Sequence, residues 1–562
     1  MARRVLVVGW DGATWEVARP MLEQGELPTL RRLVESGASG PLRSVVHPYT
    51  AQAWTTMATG CNQGRHRIVD FWERDFSRYG FRLLNASHRA VPSLWGLLSA
   101  RGRRVVVVNV PQTYPPEPVA GVLISGRDTP GLGAAYTYPP ELKGELALLA
   151  GEPYVIVPDD WLYTRRGQPD RARDELFREL RVRFRVVREL LRREAWDLAW
   201  FVVSATDGAA HFFWKYHDPS HPLCTPEDAA LYGDVVREVY RRADAELGRL
   251  LEELDDEVVV LVVSDHGEGP QVPLAVHLNL WLAQEGFLTF AKGGRGGPRR
   301  ALARALRAAK HLAYDRLSFQ DLTLVRRLFP DWLRGELGQE TFFAGVDWSR
   351  TRAFSEEVRG NLWINLKGRD PAGIVEPGAE YEALRDELIA GLSSLRNPLT
   401  GGPLVRRVWR REELYTGPYV ERFPDLVVEA DVPDVFRPRG DYRGSDAVRI
   451  LSREELAALK TSGTHRMEGI LVACGPGVRA GAHVQGASLQ DLAPTILHLL
   501  GEPVPAHLDG RVLTELLDPS WLAASPVRRE AEGPNEGGPG QDYTEEEARQ
   551  VEERLAGLGY LG

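Results

Sequence analysis

The chain has 562 residues, of which 43% are hydrophobic and 26% are charged. A chain of this length can bury a large core and predicts roughly two to four domains. The formal net charge of -9 and the pI near 5.9 give no electrostatic reason to expect nucleic acid as the main partner.

The cysteines and the amino terminus bear on the compartment. The three cysteines, Cys61, Cys224 and Cys474, lie far apart and form no CxxC pair, and an odd number always leaves one thiol over. This favours a reducing compartment. The first apolar run, at 5–8, is too short for a signal peptide. Since no window approaches about eighteen consecutive apolar residues, we also expect no spanning helix. We therefore expect a cytoplasmic protein.

Uninterrupted apolar runs predict a set of buried strands. Runs without polar alternation are typical of parallel sheets that helices cover on both faces. Helices are predicted at 170–193 and 491–500. We therefore predict an α/β fold with a doubly wound, mostly parallel sheet. The predicted strands of this sheet are residues 4–9, 105–110, 197–203, 258–263 and 470–474.

Carboxylates and imidazoles follow three of these runs. Asp11 follows the first run, and Asp265 and His266 follow the run at 258–263. Asp207 and His211 follow the run at 197–203 and are four positions apart, so one helical turn would bring them to the same side. Ligands of open α/β sheets gather beyond the carboxyl ends of the strands, where Asp and His suit a divalent metal. Each pair taken alone also fits an ordinary turn or surface polarity.

Two further residues belong to the same pattern. Thr50 precedes a segment, 51–58, that is predicted to be a helix ending at Gly60, so an N-cap role is the plainer interpretation of Thr50 alone. Pro48 favours an extended backbone at His47. His465 lies in Ser462-Gly-Thr-His465, just before the strand predicted at 470–474.

The remaining chain predicts a division into core, insertions and tail. An arginine-rich helix in the first insertion, at 299–317, could meet an anionic substrate or a membrane surface, although a solvated helix face is the plainer interpretation. A Pro-, Gly- and Glu-rich linker precedes the tail. The predicted division is 1–290 for the first part of the core, 291–345 for the basic helical insertion, 346–460 for an α/β cap, 461–518 for the last part of the core, 519–542 for the linker and 543–562 for a C-terminal helix.

The C-terminal helix carries its own signals. Thr544 and Glu547 predict a capping box, and Val551, Leu555 and Leu558 form an apolar stripe. The stripe predicts that the helix docks against the body of the protein or against a second subunit. A homo-oligomer formed through this helix is therefore one of the two alternatives.

Seven residues therefore form one candidate constellation. Three carboxylates, three imidazoles and one hydroxyl are what two divalent ions and an alkoxide nucleophile require, if the fold brings them together. They are Asp11, Thr50, Asp207, His211, Asp265, His266 and His465.

In order and surroundings these residues resemble the alkaline phosphatase superfamily, and most closely its type I phosphodiesterase/nucleotide pyrophosphatase branch. The resemblance spans roughly residues 4–290 and 345–515, and the ordered set is specific although no single piece is. The matching segments are Val-Gly-Trp-Asp11-Gly, Pro-Tyr-Thr50-Ala-Gln-Ala-Trp-Thr-Thr-Met-Ala-Thr-Gly60, Thr206-Asp-Gly-Ala-Ala-His211, Ser264-Asp-His-Gly267 and Ser462-Gly-Thr-His465.

The resemblance implies an alkaline phosphatase-like fold and hydrolysis of a small-molecule phosphoric ester, with a diester favoured over a monoester. It implies Thr50 as the nucleophile of a phosphothreonine intermediate. Zinc is the family's usual ion, and manganese is the alternative. The implied metal ligands are Asp11, Thr50, Asp265 and His266 for one ion, and Asp207, His211 and His465 for the other.

One position departs from the family pattern. Related phosphodiesterases resemble Thr-Phe-Pro-Asn at the nucleophile, where the Asn donates to a phosphoryl oxygen, whereas Ala53 stands at that place here. Gln52, Asn109, Arg466 or a backbone N–H could serve instead. Sulfatases need a modified Cys or Ser, and cofactor-independent phosphoglycerate mutases use a serine nucleophile, so both fit less well.

Other functions remain open at this point. A phosphomonoesterase, a phosphonate hydrolase or a phosphotransferase of the same superfamily would use the same residues, and the cap would choose the substrate. A noncatalytic, metal-stabilised binding protein is the alternative of another class. Thr50 argues against it, because a structural metal site has no use for a nucleophile.

Overall fold

The computed structural model describes residues 4–291, 343, 345–432, 434–438, 442, 444–531 and 540–557. The arginine-rich helix predicted at 299–317 lies outside the described residues, and so does Leu558. None of the described helices combines the length and apolar character needed to cross a membrane.

The strands of the described chain are short, and most are buried. In chain order they are β1 (Arg4–Trp10), β2 (Ala38–Arg43), β3 (Trp72–Asp75), β4 (Gly80–Leu83), β5 (Val105–Val108), β6 (Gly121–Ile124), β7 (Thr137–Tyr138), β8 (Leu198–Val203), β9 (Val258–Val263), β10 (Gly267–Pro270), β11 (Leu274–Val276), β12 (Ala353–Phe354), β13 (Asn361–Ile364), β14 (Val405–Arg410), β15 (Leu426–Ala430), β16 (Val448–Ile450), β17 (Gly463–Arg466), β18 (Glu468–Cys474), β19 (Ala482–His483), β20 (Ala487–Ser488), β21 (Val504–Pro505) and β22 (Arg529–Glu530).

The α-helices alternate with these strands. In chain order they are α1 (Trp15–Glu23), α2 (Pro28–Ser36), α3 (Thr50–Thr59), α4 (Gln63–His66), α5 (Leu94–Ala100), α6 (Leu142–Ala150), α7 (Asp160–Arg165), α8 (Pro169–Arg193), α9 (Ala205–His217), α10 (Pro226–Tyr232), α11 (Val235–Leu251), α12 (Leu278–Gln284), α13 (Ala379–Ser393), α14 (Arg411–Leu414), α15 (Arg453–Ala458), α16 (Leu492–Leu499), α17 (Pro519–Ala524) and α18 (Glu545–Gly557).

The strands predicted from apolar runs lie together in one sheet. Among the described residues its order is β19-β2-β18-β9-β1-β8-β5-β6-β7, with β20 beside β2. The central strands β9, β1, β8, β5 and β6 are parallel to one another, whereas β18 and β7 run antiparallel to them. This confirms the predicted α/β class with a mostly parallel sheet.

Both faces of the sheet are buried, which explains the absence of polar alternation in its strands. Along β1, Leu6 and Val8 belong to the apolar core on one face, and Val5 and Val7 belong to the core on the other. Helices α8, α9 and α11 pack together on the first face, and α3 and α16 pack on the second. The carboxyl ends of the parallel strands are thereby fixed at one edge.

A smaller sheet lies between the two parts of the core in sequence. Its order is β12-β13-β15-β14, all its pairs are antiparallel, and α13 packs on β14. The strands of this sheet and α13 all lie within residues 346–460, the range for which an α/β cap is predicted. We call residues 346–460 the cap.

The C-terminal helix α18 docks on the body of its own chain. The capping box is present, since Thr544 N–H donates to the Glu547 carboxylate at 3.0 Å and Glu547 N–H donates to Thr544 Oγ1 at 3.3 Å. Val551 and Leu555 are buried in the main core at 2% and 1% exposure. Arg554 donates to the backbone carbonyl oxygen of Arg127 at 2.8 Å. The described part of the apolar stripe is therefore covered without a second subunit.

Replacing Leu555 with alanine tests this docking. Because the side chain is 1% exposed in the core, we expect Leu555→Ala to lower the free energy of opening α18 by about 2 kcal/mol or more. Hydrogen exchange of the α18 amides measures this loss. Leu148→Ala, at a position that is 84% exposed, is the control and should leave α18 protection unchanged. Equal protection in the two variants would contradict docking on the body.

Candidate metal centre

The parallel pairing of three strands places the predicted carboxylates side by side. Gly9 of β1 is in register with Val202 of β8 and with Val263 of β9. The residues just beyond these ends are Asp11, Asp207 and Asp265, and all three side chains are buried. The shared edge of the sheet, not closeness in sequence, assembles them.

The first cluster lies between α9 and β17. His211 Nε2 is 3.2 Å from Asp207 Oδ1 and 3.1 Å from His465 Nε2. The predicted helical turn is present, because Asp207 and His211 both lie in α9. His211 Nδ1 lies 3.1 Å from the carbonyl oxygen of Gly463, which ties α9 to β17. A fourth ligand-type residue joins them: Glu268 Oε1 is 3.6 Å from both His211 Nε2 and His465 Nε2.

The second cluster lies at the ends of β1 and β9. His266 Nε2 is 3.6 Å from Asp11 Oδ1 and 3.4 Å from Asp265 Oδ2. Gly12 N–H donates to Asp265 Oδ1 at 3.3 Å, which orients that carboxylate. The ligand atoms of Asp11, Asp207 and His266 lie within 4.8 Å of one another. Asp207 therefore adjoins both clusters.

The rings of the two clusters are in contact. His266 and His465 have ring centroids 4.0 Å apart, and the His211 and His465 centroids are 4.9 Å apart. The three imidazoles thus form a continuous group, and the structure brings six of the seven predicted residues into it. The position of the seventh residue, Thr50, follows from its neighbour Tyr49, whose ring contacts His465.

Thr50 is the first residue of α3 and is fully buried. The N-cap is Tyr49 rather than Thr50, and Tyr49 makes no side-chain cap. The Tyr49 ring packs edge-on against the His465 ring at 5.2 Å. The helix amino terminus, with its partial positive charge and its orphan N–H groups, therefore adjoins the clusters.

The backbone before Thr50 differs from the prediction. His47 has φ of 57°, a left-handed conformation, although Pro48 favours an extended one. The His47 ring nitrogen Nε2 lies 3.0 Å from the carbonyl oxygen of Val428 in the cap, and Gln52 Nε2 donates to the His47 carbonyl at 2.9 Å. These contacts hold the turn that delivers Thr50.

Burial shapes the electrostatics of the carboxylates. Burial raises the pKa of Asp11 well above its usual range, and Asp265 adds to the shift. Burial also raises the pKa of Asp265 to about 7, with a further contribution from Asp207. For Asp207, burial is outweighed by the adjacent His211 and by Arg127, which hold its pKa below the usual value. Divalent cations would favour the charged forms of all three carboxyl groups.

Several ligand-type atoms are left without hydrogen-bond partners. Among the described residues this holds for both oxygens of Asp11, both oxygens of Glu268, Oδ1 of Asp207, Oδ2 of Asp265 and Nε2 of His266. Buried polar atoms are nearly always paired, so a group of unpaired carboxylate oxygens and an imidazole nitrogen fits bound cations. The mixed carboxylate and imidazole set suits zinc or manganese.

Two residues of the centre were missed by the sequence analysis. Glu268 follows His266 by two positions, but only the pairing of β10 with β17 shows that it faces His465. Arg127 follows β6, and its Nη2 lies 3.5 Å from Asp11 Oδ2 and 3.4 Å from Asp207 Oδ2. The signal in the sequence that could have identified Arg127 was its position in a turn after a predicted parallel strand.

The donors considered in place of the family Asn are engaged elsewhere. Gln52 donates to the His47 carbonyl, and Asn109 donates to the Ile156 carbonyl at 3.1 Å. Arg466 donates to the carbonyls of Thr464, His465 and Pro270. Ala53 itself is packed in the apolar core.

A cavity of about 130 Å³ opens beside Tyr49, the residue before Thr50, between the core and the cap. Cap residue Asp434 accepts hydrogen bonds from Tyr49 and Thr464, the residues just before Thr50 and His465. Arg359 of the cap lies over the Tyr49 ring at 3.7 Å. The cap thus contacts the centre directly. The cavity is lined by His47, Tyr49, Arg359, Arg406, Asp434 and Arg466, among others.

Comparisons with known proteins agree with this architecture. The family model for type I phosphodiesterase / nucleotide pyrophosphatase matches residues 5–437, whereas no curated protein matches the chain. Phosphonoacetate hydrolase from Sinorhizobium meliloti 1021, solved with phosphonoformate and with phosphonoacetate, superposes with a TM-score of 0.52 at 14% identity, covering 89% of this chain and 95% of that one. Human ectonucleotide pyrophosphatase / phosphodiesterase 5 gives a TM-score of 0.47 at 14% identity, and the alignment covers 92% of this chain and 100% of that one.

The fold and the centre define a metal-dependent hydrolase of phosphoric esters in the alkaline phosphatase superfamily. Because the family model covers most of its length, the chain belongs to the type I phosphodiesterase/nucleotide pyrophosphatase family. The likeness to phosphonoacetate hydrolase supports the fold.

Metal loading should stabilise the protein through the buried carboxylates. After chelation, adding Mn²⁺ or Zn²⁺ at a hundred times its dissociation constant should raise the free energy of unfolding by about 2.7 kcal/mol. Thermal unfolding with and without metal measures the gain. Asp207→Asn should lose most of this metal-dependent gain in stability, because Asp207 adjoins both clusters. Asp256→Asn, at an exposed position, should keep it, and an equal response of the two variants would contradict the site.

Proposed function

We propose that the chain hydrolyses phosphoric diesters with two divalent ions and a phosphothreonine intermediate on Thr50. The observation that carries the proposal is the convergence of two clusters of buried ligand-type side chains beside a helix amino terminus that begins at Thr50. Zinc is the proposed ion and manganese the alternative. Three cysteines, none in a disulfide, support a reducing compartment and hence the cytoplasm.

The proposed ligand sets follow the two clusters. When bound, divalent ions supply positive charge that favours the ionised form of a nearby hydroxyl and offsets the charge of the phosphoryl group. Asp11, Thr50, Asp265 and His266 would hold one ion, and Asp207, His211 and His465 would hold the other.

The chain's own groups then carry out a two-step displacement. Thr50 Oγ1 forms a bond to phosphorus while the bond from phosphorus to the leaving oxygen breaks. Water next attacks the phosphothreonine, which releases the phosphate product and restores the Thr50 hydroxyl. The amino-terminal N–H groups of α3 would donate to the phosphoryl oxygens of a substrate bound at Thr50 and stabilise their negative charge.

Arg127 is the proposed partner of the phosphoryl group in place of the family Asn. Its guanidinium adjoins both clusters and is 4% exposed. It is held by its loop, since the Asp128 carboxylate accepts backbone N–H groups from Gln112 and Tyr114 at 3.0 and 2.7 Å. A planar guanidinium suits paired phosphoryl oxygens.

A phosphomonoesterase is the second candidate. The observation that favours it is Arg127 itself, because an additional cation beside the clusters favours a doubly charged phosphoryl group over a singly charged diester. The intact Thr50 and the family membership disfavour a noncatalytic binding protein.

The nucleophile has a direct test. Thr50→Ala should lower kcat by about 10³-fold or more, since it removes the hydroxyl that would attack phosphorus at the start of α3. Thr50→Ser keeps a hydroxyl and should retain activity and yield a phosphorylated residue 50 on acid quench, detected by mass spectrometry. Full activity of Thr50→Ala with two metal ions still bound would contradict the assignment.

Substrate choice is measured with two chromogenic esters. Bis-p-nitrophenyl phosphate should be hydrolysed with a higher kcat/KM than p-nitrophenyl phosphate, and chelator should abolish both activities. The reverse preference would establish the monoesterase and leave the nucleophile unchanged. Absence of both activities with every divalent metal would contradict the proposed hydrolysis.

The role of Arg127 is separable from metal binding. Arg127→Ala should lower kcat/KM about a hundredfold by removing charge stabilisation from the phosphoryl group, and Arg127→Lys should recover part of it. Metal content, measured by elemental analysis, should stay at that of the wild type. A variant that keeps full kcat/KM would show that Arg127 only neutralises Asp11 and Asp207.

A further inference from the structure

Glu268 is the one member of the centre that the proposed mechanism does not use. It lies on β10 directly opposite His465 of β17, so the register of this two-stranded ribbon brings the two side chains together. Its side chain is 0% exposed. Neither carboxylate oxygen has a hydrogen-bond partner among the residues the structure describes.

The surroundings of Glu268 leave its carboxylate facing the first cluster. Oε1 is 3.6 Å from His211 Nε2 and from His465 Nε2. Gly12 makes room for it, since a Cβ there would meet Glu268 Cγ at 3.1 Å. The adjacent cation, Arg466, donates instead to the backbone carbonyl of Pro270 at 2.6 Å. Arg466 and the imidazoles of the cluster are therefore the cationic groups near this carboxylate, and none of them donates a hydrogen bond to it.

An ionised carboxylate at this depth costs several kcal/mol unless it is compensated, and a bound cation would supply that compensation. The ligand atoms of Glu268, Asp207, His211 and His465 all lie within 4.8 Å of one another. We propose that Glu268 is the fourth protein ligand of the ion held by Asp207, His211 and His465. This rests on the proposed function, whose ligand set it extends.

A fourth protein ligand changes which ion the cluster favours. A catalytic zinc keeps three protein ligands and one open position. With two carboxylates and two imidazoles already bound, a substrate oxygen can enter only at an ion that takes five or six ligands. Manganese accepts such a number and prefers carboxylates more than zinc does. Glu268 therefore shifts the relative affinity of this cluster toward Mn²⁺.

Isothermal titration of the metal-free full-length protein with MnCl₂ and with ZnCl₂ tests the inference. Glu268→Gln, which keeps the shape and removes the charge, should weaken Mn²⁺ binding at one of two sites at least tenfold and Zn²⁺ binding by a smaller factor. Glu356→Gln is the matched control, because Glu356 is a buried cap carboxylate with hydrogen bonds from Asn361 and Trp363. It should bind both ions as the wild type does.

Thermal unfolding of the same proteins excludes a merely structural effect. Without metal, Glu268→Gln should be as stable as the wild type or more stable, because one of several like charges has been removed. On addition of metal, the free energy of unfolding should rise less for Glu268→Gln than for the wild type. Two ions bound with wild-type affinities in Glu268→Gln would overturn this inference alone. Fewer than two ions bound by the wild-type protein would instead overturn the proposed two-metal function.

Discussion

The structure depends on one constraint: four carboxylates, those of Asp11, Asp207, Asp265 and Glu268, are held together out of water. Their exposure is at most 2%. Like charges at such depth repel strongly and are stable only beside cations. The parallel strands β1, β8 and β9 fix three of them, and the ribbon of β10 and β17 fixes the fourth. Backbone pairing holds these four side chains together, and the group they form fits divalent ions.

The cap contributes a side chain that contacts the segments of this centre. Asp434 accepts hydrogen bonds from Tyr49 and Thr464, so one cap carboxylate is shared by the segments that carry Thr50 and His465. Burial opposes ionisation of Asp434, but His465 and Arg437 outweigh it and lower its pKa, which keeps it charged. The cavity beside these contacts has walls from both parts. The cap thereby helps to position the segment that carries Thr50.

The sequence predicted what local patterns encode. Apolar runs gave the strands, the spacing of Asp207 and His211 gave a helical turn, and the carboxyl-end rule placed their side chains with Asp11. Glu268 could not be predicted, because its orientation depends on pairing with a strand nearly 200 positions later, with His465 opposite it. The position of Arg127 could not be predicted either, because its loop is held by a distant residue. Arg554 of α18 donates hydrogen bonds to the carbonyl oxygens of Arg127 and Pro130 in that loop. The left-handed backbone of His47 follows from long-range contacts that override the preference set by Pro48.

Anomalous diffraction from crystals soaked with Mn²⁺ or Zn²⁺ tests the central claim most directly. The account predicts two peaks at the carboxyl ends of β1, β8 and β9. One should lie among Asp11, Asp265 and His266, and the other among Asp207, His211 and His465. A single peak, or peaks remote from this edge of the sheet, would show that the buried carboxylates are not a bimetallic centre.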